Sequence, residues 1–355
     1  MAKILMNGNS TIGEAAIRAG CQCYFGYPIT PQNELTEYMA AHLGRKKGCS
    51  FVQAESEIAA INMVFGASLV GARAMTSSSS PGISLKQEGI SYLAACEQPA
   101  VIVNMSRGGP GLGSISASQS DYFQSTRGGG HGDYRTIVLA PASVQELADL
   151  THLAFDLADK YLIPTIILGD GMLGQMMEPV EFAHVAPDEL PIRSNALRGA
   201  KGRPSRFVRT FTSNPNELEE VNWSLFRRYQ LIKKRETAYE SFMTDDAKLI
   251  VVAFGIAARI AKGAIKAVRA EGLKVGMLRP ITLWPFPSEK IRELPKSTRH
   301  FLVFEMNMGQ MLEDVQLALE GTGEISFYGR PGGVIPNPSE VGRVISRIYH
   351  QKGLR

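Results

Sequence analysis

The chain has 355 residues, of which 44% are hydrophobic and 20% are charged, a composition typical of an ordinary globular protein. This length is enough for two domains, each with its own core. The formal net charge of +4 is too small to indicate nucleic acid as a partner. The sequence contains neither a signal-peptide pattern nor an apolar run of the ~20 residues that span a membrane. We therefore expect a cytoplasmic protein without a membrane contact.

Predicted strands and helices alternate through the first half of the chain. Thr11 and Glu14 form a capping-box pattern that predicts the start of a helix, and Gly20 predicts its end. Further helices are predicted at residues 32–42, 55–70, 84–95 and 144–158. Strands are predicted at residues 21–25, 50–53, 74–78, 100–105, 137–140 and 165–168. This alternation predicts an α/β domain over residues 1–185, with a parallel sheet covered by helices on both faces.

A basic segment follows the first domain. Residues 191–236 contain eleven Lys or Arg against four Glu, a charge of +7. Such a segment could bind RNA, but it lacks the periodic aromatic residues and fold signatures of RNA-binding modules. We predict instead that residues 186–245 form a linker, helical over 217–242, that contacts a partner subunit or the other domain.

A second α/β domain is predicted over residues 246–355. Its strands are predicted at residues 249–254, 274–278, 300–305 and 325–328, and its helices at residues 256–270 and 310–319. Ile260, Ala264 and Val268 form the apolar stripe of the first of these helices, and Gly272 predicts its end.

The loop Tyr27-Pro28-Ile29-Thr30-Pro31 follows the predicted strand 21–25, and its two prolines fix the backbone. Thr30 before Pro31 is typical of a helix N-cap followed by proline at the first helical position. Ligands bind at this edge of open α/β sheets. A rigid turn without any chemistry explains the loop alone equally well.

Glu57 lies in the first turn of the predicted helix 55–70, whose residues are apolar nearly all round. In one interpretation it is a charge that favours the helix N-terminus, as Glu55 does. In the other it turns inward, where burial lets a carboxyl group hold a proton for a ligand nitrogen. The residues alone leave both interpretations open.

Two Gly-rich loops offer further polar groups. Arg107 follows strand 100–105, and its guanidinium can bind a carboxylate or phosphate bidentately while the neighbouring glycines let backbone N–H groups approach an anion. His131 and Asp133, in the second loop, could form an acid/base pair or part of a metal site. Such residues more often only close a loop, and two ligands are a weak metal signal.

Two patterns argue against a metal site in this chain. Gly169-Asp170-Gly171 resembles the motif that holds Mg²⁺ in thiamine-dependent enzymes, but the prolines that follow disfavour the helix this motif requires. We therefore interpret it as a turn at a strand end. The cysteines at positions 21, 23, 49 and 96 lack Cys-x-x-Cys spacing, so we predict free thiols and neither an iron–sulfur cluster nor a zinc site.

Six motifs occur together in a characteristic order. They are Gly26-Tyr27-Pro28-Ile29-Thr30-Pro31, Ser56-Glu57, Arg107-Gly108-Gly109-Pro110, Gly130-His131-Gly132-Asp133-Tyr134, Leu283-Trp284-Pro285-Phe286-Pro287 and Glu305-Met306-Asn307-Met308-Gly309-Gln310. With this set the chain resembles, over nearly its whole length, the α subunit of the 2-oxoacid:ferredoxin oxidoreductases. Gln32-Asn33-Glu34 after the proline loop makes the resemblance closest to the 2-oxoisovalerate (3-methyl-2-oxobutanoate) branch. Ser80 departs from the Gly that many relatives carry at this position.

The resemblance implies a fold and an activity. The first domain would be a pyrimidine-binding domain for thiamine diphosphate, and the second would resemble the C-terminal domain of transketolase. The family carries out the CoA-acylating oxidative decarboxylation of a 2-oxoacid, here a branched-chain one, and reduces ferredoxin. The alternatives are the 2-oxoglutarate or pyruvate version of this enzyme, or a non-catalytic scaffold subunit that keeps only the fold.

The resemblance also implies site residues and partners. Glu57 would be the catalytic residue that contacts the aminopyrimidine ring nitrogen, with Tyr27, Pro28 and Ile29 as further cofactor contacts. Thr30 and Arg107 would bind the substrate. A β subunit would share thiamine diphosphate and supply Mg²⁺ and an iron–sulfur cluster, alongside γ and ferredoxin-like δ subunits. The chain would be active only with these partners.

Overall fold

The computed structural model describes residues 3–182, 190, 193–294 and 298–354. The predicted junction between residues 185 and 186 lies outside these ranges, as do two of the prolines that follow Asp170. The helices are α1 (Gly8–Arg18), α2 (Asn33–His42), α3 (Glu57–Leu69), α4 (Ser80–Ala95), α5 (Tyr122–Arg127), α6 (Val144–Tyr161), α7 (Gly171–Gln175), α8 (Pro215–Glu236), α9 (Gly255–Ala270), α10 (Ser288–Glu293), α11 (Gln310–Leu319) and α12 (Pro338–Gln351). The strands are β1 (Ile4–Asn7), β2 (Cys23–Gly26), β3 (Ser50–Gln53), β4 (Ala74–Ser78), β5 (Ala100–Ser106), β6 (Ile137–Leu139), β7 (Pro164–Asp170), β8 (Met177–Val180), β9 (Tyr239–Phe242), β10 (Leu249–Val252), β11 (Val275–Pro280), β12 (Thr282–Trp284), β13 (His300–Glu305) and β14 (Glu324–Gly329).

The larger sheet of the described chain has the strand order β12-β6-β7-β5-β4-β2-β3. Its strands are parallel except for β12, which runs antiparallel to β6. The central strands β5 and β7 are buried at every position, as expected for parallel strands covered on both faces. Helix α3 packs against α4, and α1 packs against α2 and α6. The parallel strands consequently end together at one edge of the sheet.

A second sheet has the order β14-β13-β10-β11-β9, with β9 as its antiparallel edge strand. The loop after β5 joins it to the first unit. Gln119 donates from its side chain to the carbonyl of Phe254 (2.8 Å) and accepts from the backbone N–H of Met306 (3.0 Å). Tyr122 donates to Asp314 at 2.6 Å. These contacts fix the second unit beside the edge where β5 ends.

Local capping explains where the predicted boundaries were wrong. Helix α1 begins three residues before Thr11, because the Asn7 side chain accepts from the N–H of Ser10 and caps it. The capping box at Thr11 is therefore wrong, whereas Gly20 follows the helix with a positive φ of 79° as predicted. Thr30 is not an N-cap either: the Thr30–Pro31 peptide is cis, and α2 starts at Asn33.

The second half of the chain contains elements that the sequence did not predict. The helix predicted over 217–242 is α8, which ends at Glu236, and residues 239–242 form strand β9 instead. Helix α12 and strand β12 were not predicted, and neither was the pair that β1, near the start of the chain, forms with β8. None of the helices within the described residues is both long and apolar enough to cross a membrane.

Candidate active site

Five parallel strands bring their following loops to one edge of the larger sheet. The proline loop follows β2, Glu57 follows β3, Ser80 follows β4, Arg107 follows β5, and Asp170 ends β7. Ligands of open α/β sheets bind at this edge because the carboxyl ends of the strands and the N-termini of helices meet there.

Glu57 turns inward at the start of α3. Ser56 caps this helix by accepting from the N–H of Ala59 at 3.1 Å, and this cap fixes the direction of the next side chain. Glu57 is 6% exposed, whereas Glu55 is exposed. An added Cβ on Gly82 of α4 would lie only 2.6 Å from Oε1 of Glu57, so the carboxyl group packs directly beneath Gly82. Between the two interpretations of Glu57, burial favours the inward one.

The backbone of the proline loop is held by two side-chain hydrogen bonds to the Pro31 carbonyl. The Pro31 carbonyl accepts from the side chains of Asn9 (2.7 Å) and Gln175 (3.3 Å). The Tyr24 hydroxyl hydrogen-bonds Ser77 at 2.5 Å beneath the loop. Tyr27, Pro28 and Thr30 remain exposed and Ile29 is half-buried, so the outer face of the loop is free to contact a ligand. Asn9 was not identified from the sequence, where it carries only the signal of a polar residue near a helix start.

Arg107 lies at the same edge and joins two loops. Its Nη1 donates to the carbonyl of Thr30 (2.9 Å) and its Nη2 donates to the carbonyl of Leu112 (3.1 Å). The side chain is 8% exposed, and among the described residues its buried Nε has no hydrogen-bond partner. The structure therefore brings Arg107 and Thr30 together, with part of the guanidinium engaged by the backbone and Nε left over for a further acceptor.

A buried polar network links Arg107 to helix α4. The Ser80 hydroxyl donates to Asp121 at 2.6 Å and accepts from the backbone N–H of Arg107 at 2.9 Å. Asn104 also donates to Asp121 at 2.9 Å. Burial raises the pKa of Asp121, and the hydrogen bonds from Ser80 and Asn104 oppose that rise. The serine at position 80 thus supplies a hydroxyl that a glycine would lack, and Asp121 is a site residue that no sequence pattern indicated.

The other predicted polar groups have local roles. Asp170 caps α7 by accepting from the N–H groups of Met172 (3.0 Å) and Leu173 (3.1 Å), and burial raises its pKa to about 6. The helix that we disfavoured after Asp170 does form, although it has only five residues. His131 and Asp133 are exposed in the loop that follows α5. Within the residues that the structure describes, no three His, Cys, Asp or Glu side chains are grouped so that they could hold a metal ion.

The edge has the properties of a ligand site. Among the described residues, the buried hydroxyl oxygens of Ser78 and Ser79 and the Nε of Arg107 have no hydrogen-bond partner. Buried polar groups are nearly always satisfied, so such groups beside a buried carboxyl indicate a polar ligand. An aromatic ring with hydrogen-bonding nitrogens, such as the aminopyrimidine of thiamine diphosphate, fits this donor and acceptor set.

Comparisons with known proteins agree with this geometry. A family profile described as "Pyruvate flavodoxin/ferredoxin oxidoreductase, thiamine diP-bdg" matches residues 14–240, and one described as "Pyruvate:ferredoxin oxidoreductase core domain II" matches residues 247–341. Ketoisovalerate oxidoreductase subunit VorB from Methanothermobacter marburgensis is 49% identical over 98% of each chain. The 2-oxoglutarate synthase subunit KorA of the same organism is 36% identical over 95% of this chain and 96% of its own.

Solved structures give the same fold. A 2-oxoglutarate:ferredoxin oxidoreductase from Magnetococcus marinus matches with a TM-score of 0.81 and 27% identity, covering 98% of this chain and 65% of that chain. A split gene transketolase matches with a TM-score of 0.59 over 96% of this chain and 97% of its own, and at 13% identity it shows the fold alone. The predicted α/β thiamine fold and the predicted family are confirmed. The chain belongs to the 2-oxoacid:ferredoxin oxidoreductases and is an α-type subunit that contains their thiamine diphosphate-binding domain.

Proposed function

We propose that the chain is the α subunit of an oxidoreductase for a branched-chain 2-oxoacid, 3-methyl-2-oxobutanoate. The observation that carries the proposal is the inward Glu57 carboxyl, buried beneath Gly82 at the ligand edge of a thiamine diphosphate-binding fold. The substrate class is supported by 49% identity to a ketoisovalerate oxidoreductase subunit, against 36% to a 2-oxoglutarate synthase subunit.

Glu57 and the proline loop form the part of the site that binds the cofactor. When bound, thiamine diphosphate supplies the carbanion chemistry that decarboxylation of a 2-oxoacid needs. Glu57 holds a proton at the aminopyrimidine ring nitrogen, in a position from which water is largely excluded. Tyr27, Pro28 and Ile29 contact the ring from the proline loop.

The substrate contacts come from the neighbouring loop. Arg107 and Thr30, already joined by a 2.9 Å hydrogen bond, bind the 2-oxoacid. The unpartnered Nε of Arg107 supplies a donor for the substrate carboxylate, and a guanidinium beside a carboxylate gives a strong charge-assisted hydrogen bond.

The remaining parts of the reaction are assigned to partner subunits. We place Mg²⁺, the diphosphate site and an iron–sulfur cluster in a β subunit, with γ and ferredoxin-like δ subunits completing the cytoplasmic complex that uses coenzyme A and ferredoxin. Helix α8 offers a surface for such a partner, because Trp223 is 53% exposed and Phe226 is 48% exposed on it. The chain alone should accordingly be colourless and inactive.

The assembled complex tests the proposed activity. Coenzyme A-dependent ferredoxin reduction is measured with 3-methyl-2-oxobutanoate, 2-oxoglutarate and pyruvate as substrates. We expect the highest kcat/KM with 3-methyl-2-oxobutanoate. A higher value with either other acid would overturn the substrate assignment, and no turnover with any of the three would favour a scaffold subunit.

A further inference from the structure

A lysine lies inside the contact between helices α3 and α4. Gly82, Lys86 and Gly89 are spaced four and three residues apart on α4 and therefore share one face of the helix. Gly82 packs on the Glu57 carboxyl, and an added Cβ on Gly89 would lie 2.6 Å from Cγ2 of Ile61. Lys86 is consequently placed between these two contacts, one turn of α4 from Gly82, which packs on Glu57.

The ammonium group of Lys86 is fully buried. Its side chain is 0% exposed, and its Nζ donates to the Thr76 hydroxyl on β4 at 2.9 Å. A neutral hydroxyl does not balance a charge, and a buried charge is costly unless it is paired. Among the described residues, Glu57 is the charged group that acts on Lys86. Burial lowers the pKa of Lys86 to about 8, and the Glu57 carboxylate acts in the opposite direction.

We propose that Lys86 is a positioning residue that acts through Glu57 as its buried counter-charge. Lys86 would stand on the protein side of the carboxyl group and the cofactor ring on the other side. This inference rests on the proposed role of Glu57 in cofactor binding and names the group that makes that role possible.

The reason lies in the two opposing effects on a carboxyl group in such a site. Burial favours the protonated form of a carboxyl group, and an adjacent ammonium favours the carboxylate. An ammonium group on the face of α4 that also carries Gly82 therefore offsets part of the cost of a charged Glu57 side chain in this buried position.

A purely structural role explains Lys86 less well. Replacing a buried ion pair with apolar residues of similar volume is often neutral or stabilising, so packing alone does not call for a lysine here. Gly82 and Gly89 flank Lys86 on this face of α4, and methionine would fill the same space with an unbranched chain.

A double-mutant cycle in the assembled αβ complex tests the proposal. The four proteins are the wild type, Lys86→Met, Glu57→Gln and the double variant, each measured for kcat and for the dissociation constant of thiamine diphosphate. If Lys86 acts through Glu57, Lys86→Met lowers kcat by at least about tenfold in the wild-type background and by less than about twofold in the Glu57→Gln background. Lys86→Gln, which keeps a polar partner for Thr76, provides a second neutral variant should Lys86→Met fail to assemble.

The pH dependence separates this role from a structural one. In Lys86→Met the midpoint of the acidic limb, for both kcat/KM and thiamine diphosphate binding, should move upward by about one pH unit. Lys86→Arg retains the charge and should leave the midpoint near the wild-type value. If Lys86 were purely structural, Lys86→Met would lower the unfolding temperature without moving that midpoint. This result would overturn the proposal.

The cycle also distinguishes its two possible failures. An equal loss from Lys86→Met in both backgrounds, with Glu57→Gln still impaired, would overturn the role of Lys86 and leave the proposed function intact. Normal turnover in Glu57→Gln would overturn both.

Discussion

Replacing Glu57 with glutamine keeps the shape of the side chain but removes the carboxyl group that can hold and exchange a proton. The side chain is 6% exposed and lies beneath Gly82, so neither bulk water nor the exposed Glu55 can take its place. General acid–base groups typically contribute 10²–10⁴-fold in rate, or roughly 3–5 kcal/mol of transition-state stabilisation. We therefore expect Glu57→Gln to lower kcat by roughly 10²–10⁴-fold while folding and subunit assembly persist.

The assay is steady-state ferredoxin reduction by the reconstituted complex at saturating 2-oxoacid and coenzyme A. Glu55→Gln is the matched control, because it removes the same charge two residues away from an exposed position. We expect the control to retain near-normal turnover. Near-normal turnover in Glu57→Gln, or a larger loss in Glu55→Gln, would show that the inward side chain has been assigned incorrectly.

Four further outcomes are expected. Gly82→Ala places a Cβ 2.6 Å from the Glu57 carboxyl and should weaken thiamine diphosphate binding of the complex in a titration, whereas Gly66→Ala, with no atom within 4 Å, should not. Arg107→Lys should raise KM for the 2-oxoacid more than it weakens cofactor binding, because a lysine has no Nε donor beside the groups that hold the carbonyls of Thr30 and Leu112; an unchanged KM would leave Arg107 only a loop-holding role. Hydrogen exchange over the basic segment 191–236 should slow when the partner subunits bind, and unchanged exchange would place the interface elsewhere. The pKa of Lys86 is lowered from 10.5 to about 8 in the folded chain, so the unfolded state binds more protons between these values. The unfolding free energy of wild type should therefore rise relative to that of Lys86→Met by roughly 3 kcal/mol from pH 8 to pH 10.5. Urea titrations at several pH values measure both free energies, and the same pH dependence in the two proteins would contradict this.

Regular elements with strong local signals could be predicted from the sequence. Strands β3, β4 and β13 and helix α11 have the predicted bounds, because turn or capping residues flank them, and β13 and α11 also carry a clear apolar pattern. The same holds for the first six residues of the buried strand β5.

Features that depend on tertiary contacts could not be predicted in the same way. Strand β12 comes from the second half of the chain but pairs with β6 of the first sheet, and no local pattern encodes that partner. Asn7 rather than Thr11 caps α1, since several polar residues near the start compete for that role.

In the candidate site, too, residues with a local sequence signal could be predicted and residues placed by tertiary packing could not. The inward Glu57 could be named because an apolar helix follows it, although its direction is fixed by the cap at Ser56 and by Gly82. Asp121 lies 41 residues along the chain from Ser80, which it contacts, and Lys86 lies 29 residues from Glu57, through which we propose that it acts. Their burial follows from the packing of α4 and the loop after β5, which the sequence does not reveal.

Thiamine diphosphate binding tests the central claim most directly. Calorimetric titration is carried out with the isolated chain and with the αβ pair, in each case with Mg²⁺ present. The account predicts tight binding of one cofactor per αβ pair, and binding by the isolated chain that is at least about a hundredfold weaker, because the diphosphate site is assigned to the partner. No binding to the pair, or equally tight binding to the isolated chain, would contradict it.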